Sequence, residues 1–263
     1  MKTILLMVHD DPGQEARLQC ALDITREVEG HLICLDLLRL PIVIDAYGTG
    51  GGMATILTGE QDREELNVSA LQARVSAEGV SHEWQRAQGD FEHSLARAAR
   101  LVDLIVLSAK GVPGLIDQGD LPARVARATA APILVVPQGH RGFAPTGRVL
   151  VGWDGSATAA TTIRAATPLL KLTDSVEVLT ISGSDYDPDP EDVARYLARQ
   201  GCRVTTRTIP RAGEVGKQLR DALSSADWGV VGSYGQGRLR ERLFGGTTWT
   251  LLEETPVPLL ISH

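Results

Sequence analysis

Glycines and hydroxyls gather in one stretch of this chain in a pattern suited to holding an anion. Gly232-Ser233-Tyr234-Gly235 is followed by nine residues, 236–244, and then by Gly245-Gly246-Thr247-Thr248. Backbone N–H groups at the end of a strand or in the first turn of a helix lack partners and can point at a phosphate. Glycine has no Cβ to hold the backbone away from such a group. Thr247 and Thr248 add hydroxyls that could orient phosphate or a magnesium ion bound to it. The plain alternative is a pair of ordinary turns, since glycine is common at strand ends. Two glycine clusters across a fixed gap, closed by threonines, favour phosphate.

The elements around the stretch must position it. Just before it, Trp228-Gly229-Val230-Val231 reads as a buried strand; just after it, Trp249-Thr250-Leu251-Leu252 starts a helix that must stop near Pro256. Upstream, strands are expected at 3–8, 32–38, 81–88, 103–108 and 133–136, with helices at 15–28, 59–78, 91–100 and 121–129. The cluster Gly48, Gly50, Gly51 and Gly52 reads as loop, and 138–145 as a linker. Strands then return at 149–153, 176–181, 203–209 and 258–262. The helices between them run from Asp154-Gly155-Ser156 to about 172, over 191–200 and over 215–224. Alternation at this period implies βαβ units and a parallel sheet covered by helices.

The second half repeats the first. Matching by residue type sets Asp10 against Asp154 and Leu35 against Leu179, both 144 residues apart; Ser108 falls against Gly232 and Pro132 against Pro258. The glycines alone have the spacing Gly-x2-Gly-x9-Gly. It resembles the nucleotide-binding signature of the universal stress protein family, with Gly246 standing where that motif has Ser or Thr. With the repeat, the resemblance covers essentially the whole chain and looks like the tandem two-domain type. It implies an α/β fold of two doubly wound, five-stranded parallel-sheet domains, 1–142 and 147–263. It also implies a last strand in each half that dimerises, so that 132–136 and 258–262 should meet as an intramolecular pseudo-dimer. A further homodimer is left open.

The resemblance also assigns roles. Gly232, Ser233, Gly235, Gly245, Gly246, Thr247 and Thr248 would take the phosphates. Asp154 would approach the nucleoside, where it could equally be a helix cap with Gly155 and Ser156. Ile181 would read the adenine edge through its backbone, and Gly213 opens a similar strand-to-helix corner. The implied ligand is ATP, ADP or AMP, with Mg2+ held through the phosphates. In the first half Ser108, Gly111, Gly119, Asp120 and Pro122 occupy the corresponding places, with a gap of seven. Asp120 puts a carboxylate where a phosphate would sit and Pro122 removes an N–H, so that site reads as degenerate.

Composition excludes some classes. A formal charge of −7 argues against nucleic acid or an anionic membrane as partner, and no apolar run is long enough to span a bilayer. Cys20, Cys34 and Cys202, odd in number and without a CxxC, read as core fillers in a reducing cytoplasm. There is no Gly-x4-Gly-Lys loop, catalytic triad spacing or calcium loop. The expected function is a nucleotide-binding regulatory or stress-response protein with an unknown protein partner. A nucleotide-free scaffold and a slow ATPase are the other readings; no acid near the glycines is placed to activate water, so no catalytic residue is assigned.

Overall fold

The apolar runs become strands, and how apolar each run is follows from where its strand sits. A computed structural model describes residues 1–38, 50–88, 91–109, 121–183, 187–232, 251–252 and 254–262. The strands of the first half are β1 (Thr3–Val8), β2 (His31–Leu38), β3 (Ser81–Gln88), β4 (Leu104–Ser108) and β5 (Ile133–Val136). Those of the second are β6 (Arg148–Gly152), β7 (Ser175–Ser182), β8 (Val204–Pro210), β9 (Trp228–Val230) and β10 (Leu259–Ile261). They form one ten-stranded sheet in the order β3-β2-β1-β4-β5-β10-β9-β6-β7-β8. All pairs are parallel except β5 with β10, where Leu260 faces Leu134 antiparallel. Central β4 is buried throughout, as a parallel strand covered on both faces must be; edge strand β8 has no buried residue and carries polar side chains. The strands 132–136 and 258–262 thus meet, each covering the other's edge.

Helices cover both faces. On one lie α1 (Gln14–Glu27), α2 (Gly50–Ala77), α5 (Ala157–Leu170) and α6 (Pro190–Arg199); on the other lie α3 (Phe91–Ala98), α4 (Leu121–Ala128) and α7 (Val215–Leu223). Each face has a core running through both halves. Leu18, Leu71 and Leu134 share one with Ile163 and Leu197, while Leu95, Val125 and Ile133 share the other with Leu219 and Leu259. The segment between the halves is pinned rather than loose. Phe143 N–H donates to Asp23 Oδ2 at 2.8 Å, and the Phe143 ring lies 5.5 Å from that of Trp228. No helix among the described residues is long and apolar enough to cross a membrane.

One expectation is corrected here. Gly50, Gly51 and Gly52 belong to helix α2, which starts at Gly50 and not near residue 59. Three glycines lower helix propensity by about 1 kcal/mol each, but Met53, Ala54, Ile56 and Leu57 follow at once and three of them are strong helix formers. Gly48 lies outside the described residues.

Candidate nucleotide site

In the second half, β6 ends where the strand order reverses, between β7 and β9. This is where open α/β sheets place ligands. Trp153 N–H donates to Leu179 O at 2.9 Å, the last bond of the β6–β7 ladder. Backbone groups of alternate residues face the same edge, so the N–H and C=O of Ile181 face the space past the end of β6. Next to that space, Asp154 Oδ1 accepts from Ser156 N–H at 2.9 Å and Gly155 turns the chain at φ +75°. Ser156 Oγ then caps α5 by accepting from Ala159 N–H at 3.1 Å. Asp154 thus forms the turn that leads into the cap, which Ser156 supplies. Among the described residues only one of its two carboxylate oxygens accepts a bond. Thr180 Oγ1, buried close by on β7, has no hydrogen-bond partner.

Gly232 comes two residues after the end of β9 and lies under the first turn of α5. A Cβ built there would sit 2.6 Å from Ala159 N and 2.7 Å from Ala159 Cα, so no other residue fits. Asp154, Ile181 and Gly232 thus share the carboxyl ends of three adjacent strands, β7, β6 and β9. Gly213 comes after edge strand β8, one strand further out, at φ +88° with open space around it. Ser233, Gly235, Gly245, Gly246, Thr247 and Thr248 lie outside the described residues, as do Gly111, Gly119 and Asp120.

The same corner of the first half is filled. Arg17, on α1 and fully buried, reaches across the ends of β1 and β4. Its Nη1 and Nη2 donate to Asp11 Oδ1 and Oδ2 at 2.9 and 2.7 Å, a bidentate pair with both side chains at most 3% exposed. Nη1 also donates to Ser108 Oγ at 2.5 Å, while Nη2 and Nε donate to His9 O and Met7 O, each at 3.2 Å. Those bonds use all five guanidinium donors. A Cβ on Gly13 would lie 2.3 Å from Ser108 Oγ, so here the room comes from a glycine on the helix side. Sequence reasoning missed Arg17 and Asp11. The available signal was a charged residue in the same helical row as Ala21 and Ile24, both buried.

The strand ladders also correct the match between the halves. Ile4 pairs with Leu104 and Leu32, whereas Val149 pairs with Trp228 and Val176. Leu32 and Val176 keep the offset of 144, but Ile4 and Val149 are 145 apart. Past the strand the turn sets the match. Asp11 Oδ1 accepts from Gly13 N–H, the residue before α1, as Asp154 Oδ1 does from Ser156 before α5, so Asp11 and not Asp10 answers Asp154. Asp10 was aligned with Asp154 by type, but hydrogen bonding, not side-chain identity, sets position.

His9 sits among charges: Asp11 Oδ2 lies 3.8 Å from its Nδ1, and Asp10, Glu64 and Arg17 are near. Its Nδ1 is buried without a hydrogen bond, and burial pulls its pKa below 6.5. On the adjacent strand burial pushes the Asp36 carboxyl up, although Arg86 Nε donates to it at 2.9 Å. A histidine whose folded pKa is lowered gives stability that is present above the unfolded value and lost as pH falls through the folded one. Urea titrations should therefore show stability declining as pH drops below 6.5, and His9→Gln should flatten that decline. An unchanged slope in His9→Gln would assign the acid sensitivity elsewhere. The three cysteines are buried; burial pushes the Cys34 thiol up to about 12 and raises Cys20 and Cys202 as well.

No family model matches the chain. Among solved structures, a universal stress protein from Archaeoglobus fulgidus DSM 4304 superposes with a TM-score of 0.74, covering 99% of this chain and 95% of that one at 16% identity. A functionally unknown protein from Pseudomonas aeruginosa PAO1 gives 0.63, again over 99% of this chain and 92% of its own, at 16% identity. Universal stress protein Slr1230 from Synechocystis is 25% identical over 166 residues, which is 60% of this chain and 57% of that protein. The chain is similar in fold to one universal stress protein and in part of its sequence to another. Its fold is that of the Archaeoglobus protein, here a ten-stranded sheet whose two parallel halves join antiparallel through β5 and β10. The sequence match spans little more than half the length of Slr1230.

Proposed function

We propose that the second half binds one adenine nucleotide, ATP or its di- or monophosphate, in a regulatory or stress-response role. The observation that carries this reading is the backbone edge at Ile181. It points past the end of β6, beside the Asp154 carboxylate, of which Oδ1 accepts from Ser156 N–H, and a glycine corner at Gly232. An adenine edge needs one donor and one acceptor at such a place, and a strand edge supplies both. Asp154 would accept from a ribose hydroxyl. The stretch from Gly232 to Thr248 would take the phosphates, with Mg2+ held through them. Backbone donors of this kind grip ground state and transition state about equally, which gives affinity without rate. The nucleotide is then a ligand that conditions contact with a protein partner. The first half takes no nucleotide, because Arg17 and Asp11 fill its corner.

Calorimetry with ATP and magnesium should give one site per chain. Gly246→Asp copies Asp120 into the second half and turns a charge-assisted contact into repulsion. It should cost at least ~2 kcal/mol, about 30-fold in affinity, with the circular dichroism spectrum unchanged. Two equivalent sites, or full affinity in Gly246→Asp, would reject the proposal.

A further inference from the structure

We propose that the seam between the two halves is a binding site for a small organic anion, one bearing a phosphate or carboxylate group. This site is separate from the nucleotide corner and does not depend on that reading. A cavity of about 540 Å³ opens where β4 and β5 begin, walled by the ends of α3 and α4 and by α5 of the other half. That volume falls within the roughly 300–1,000 Å³ of small-molecule sites.

The walls explain the cavity: six of its fourteen lining residues are alanines, Ala128 and Ala165 among them, and short side chains leave the seam unfilled. The polar groups explain the ligand. Asp103 Oδ2 already accepts from the backbone N–H groups of Lys2 and Thr3, at 2.6 and 2.9 Å. Thr129 Oγ1 is turned back onto the carbonyls of Val125 and Ala131. Asp103 keeps Oδ1 uncommitted and has the Met1 ammonium group nearby; beyond that pair stand two guanidinium groups, Arg100 from the first half and Arg164 from the second. Among the described residues neither has a carboxylate partner; Arg164 Nη2 donates to Thr161 Oγ1 at 3.1 Å, and Arg100 has no side-chain hydrogen bond. Two planar forks lining one cavity from different halves suit an anion that can accept from both. The alanines with Val102 and Pro132 offer apolar surface to a short carbon skeleton. Because the two cations come from different halves, an occupant would also tie the halves together.

The test is alanine-methyl NMR of the full chain, titrated with glycerol 3-phosphate, succinate and inorganic phosphate. The expected result is saturable shifts of the seam alanines with glycerol 3-phosphate or succinate at millimolar concentration. Affinity should fall about tenfold or more in Arg100→Gln and in Arg164→Gln. Both side chains are exposed, so these variants keep the fold, which the remaining methyl signals report. Response to only one of the two organic probes would fix the anionic group. Response to inorganic phosphate alone would reject the proposed carbon-skeleton contacts. No seam shift with any probe, or shifts that persist in the double variant, would overturn the site.

Discussion

Replacing Arg17 with methionine should lower the unfolding free energy by about 3–5 kcal/mol, the cost of stranding a buried carboxylate. Methionine keeps much of the volume and removes the charge. Asp11 would be left 3% exposed, with the Gly13 N–H at 2.7 Å as its remaining short contact. Taking both charges out of water is also costly, so the pair itself need not be a net gain over apolar residues. The double variant Arg17→Met with Asp11→Leu should accordingly regain most of what the single variant loses. Urea unfolding at neutral pH measures both. A loss under about 1 kcal/mol in Arg17→Met would mean that water reaches Asp11 and that the corner is not sealed.

The second large effect is expected at Gly232. Gly232→Ala and Gly232→Ser should both destabilise the protein by about 3 kcal/mol, toward the upper end of the cost of overpacking. The clash is with the backbone of Ala159, not with a flexible side-chain tip, so it cannot be relieved by a rotamer change. Alanine and serine should cost nearly the same, because the Cβ alone causes the clash. Nucleotide affinity should fall in both, since α5 and its Asp154–Ser156 cap would be displaced. A neutral Gly232→Ala would show that the first turn of α5 shifts freely and would remove the packing argument.

These two residues also show how far the sequence could be read. The strands were legible because central parallel strands are buried on both faces and must be continuously apolar, as 104–107 and 133–136 are. Asp189 was legible as the cap of α6, with Pro190 in its first turn, because the whole motif is local; its side chain does accept from Glu191 N–H at 2.9 Å. Gly232 was legible as a glycine that matters, but for phosphate approach; its contact with Ala159 depends on how a helix lies on a sheet. Arg17 was not legible as a plug, because its partner Ser108 is 91 residues away. The start of α2 was missed because three glycines outweighed the helix formers behind them. Asp10 was matched to Asp154 because two aspartates lie side by side, and only the turn hydrogen bond tells Asp11 from Asp10.

The antiparallel seam of β5 with β10 has a consequence for how the chain is made. Leu259, which pairs with Val135, is translated 124 residues after it. At about 5–20 residues per second, a nascent first half waits roughly 6–25 s before its last strand finds a partner. During that wait Ile133–Val136 is an uncovered edge of four apolar residues, the kind of template on which neighbouring chains on one polysome could add. The hazard ends only when the far end of the chain closes the sheet. The border between the halves is therefore covered only once β10 has been made, and a chain arrested inside the second half would carry Ile133–Val136 without that cover.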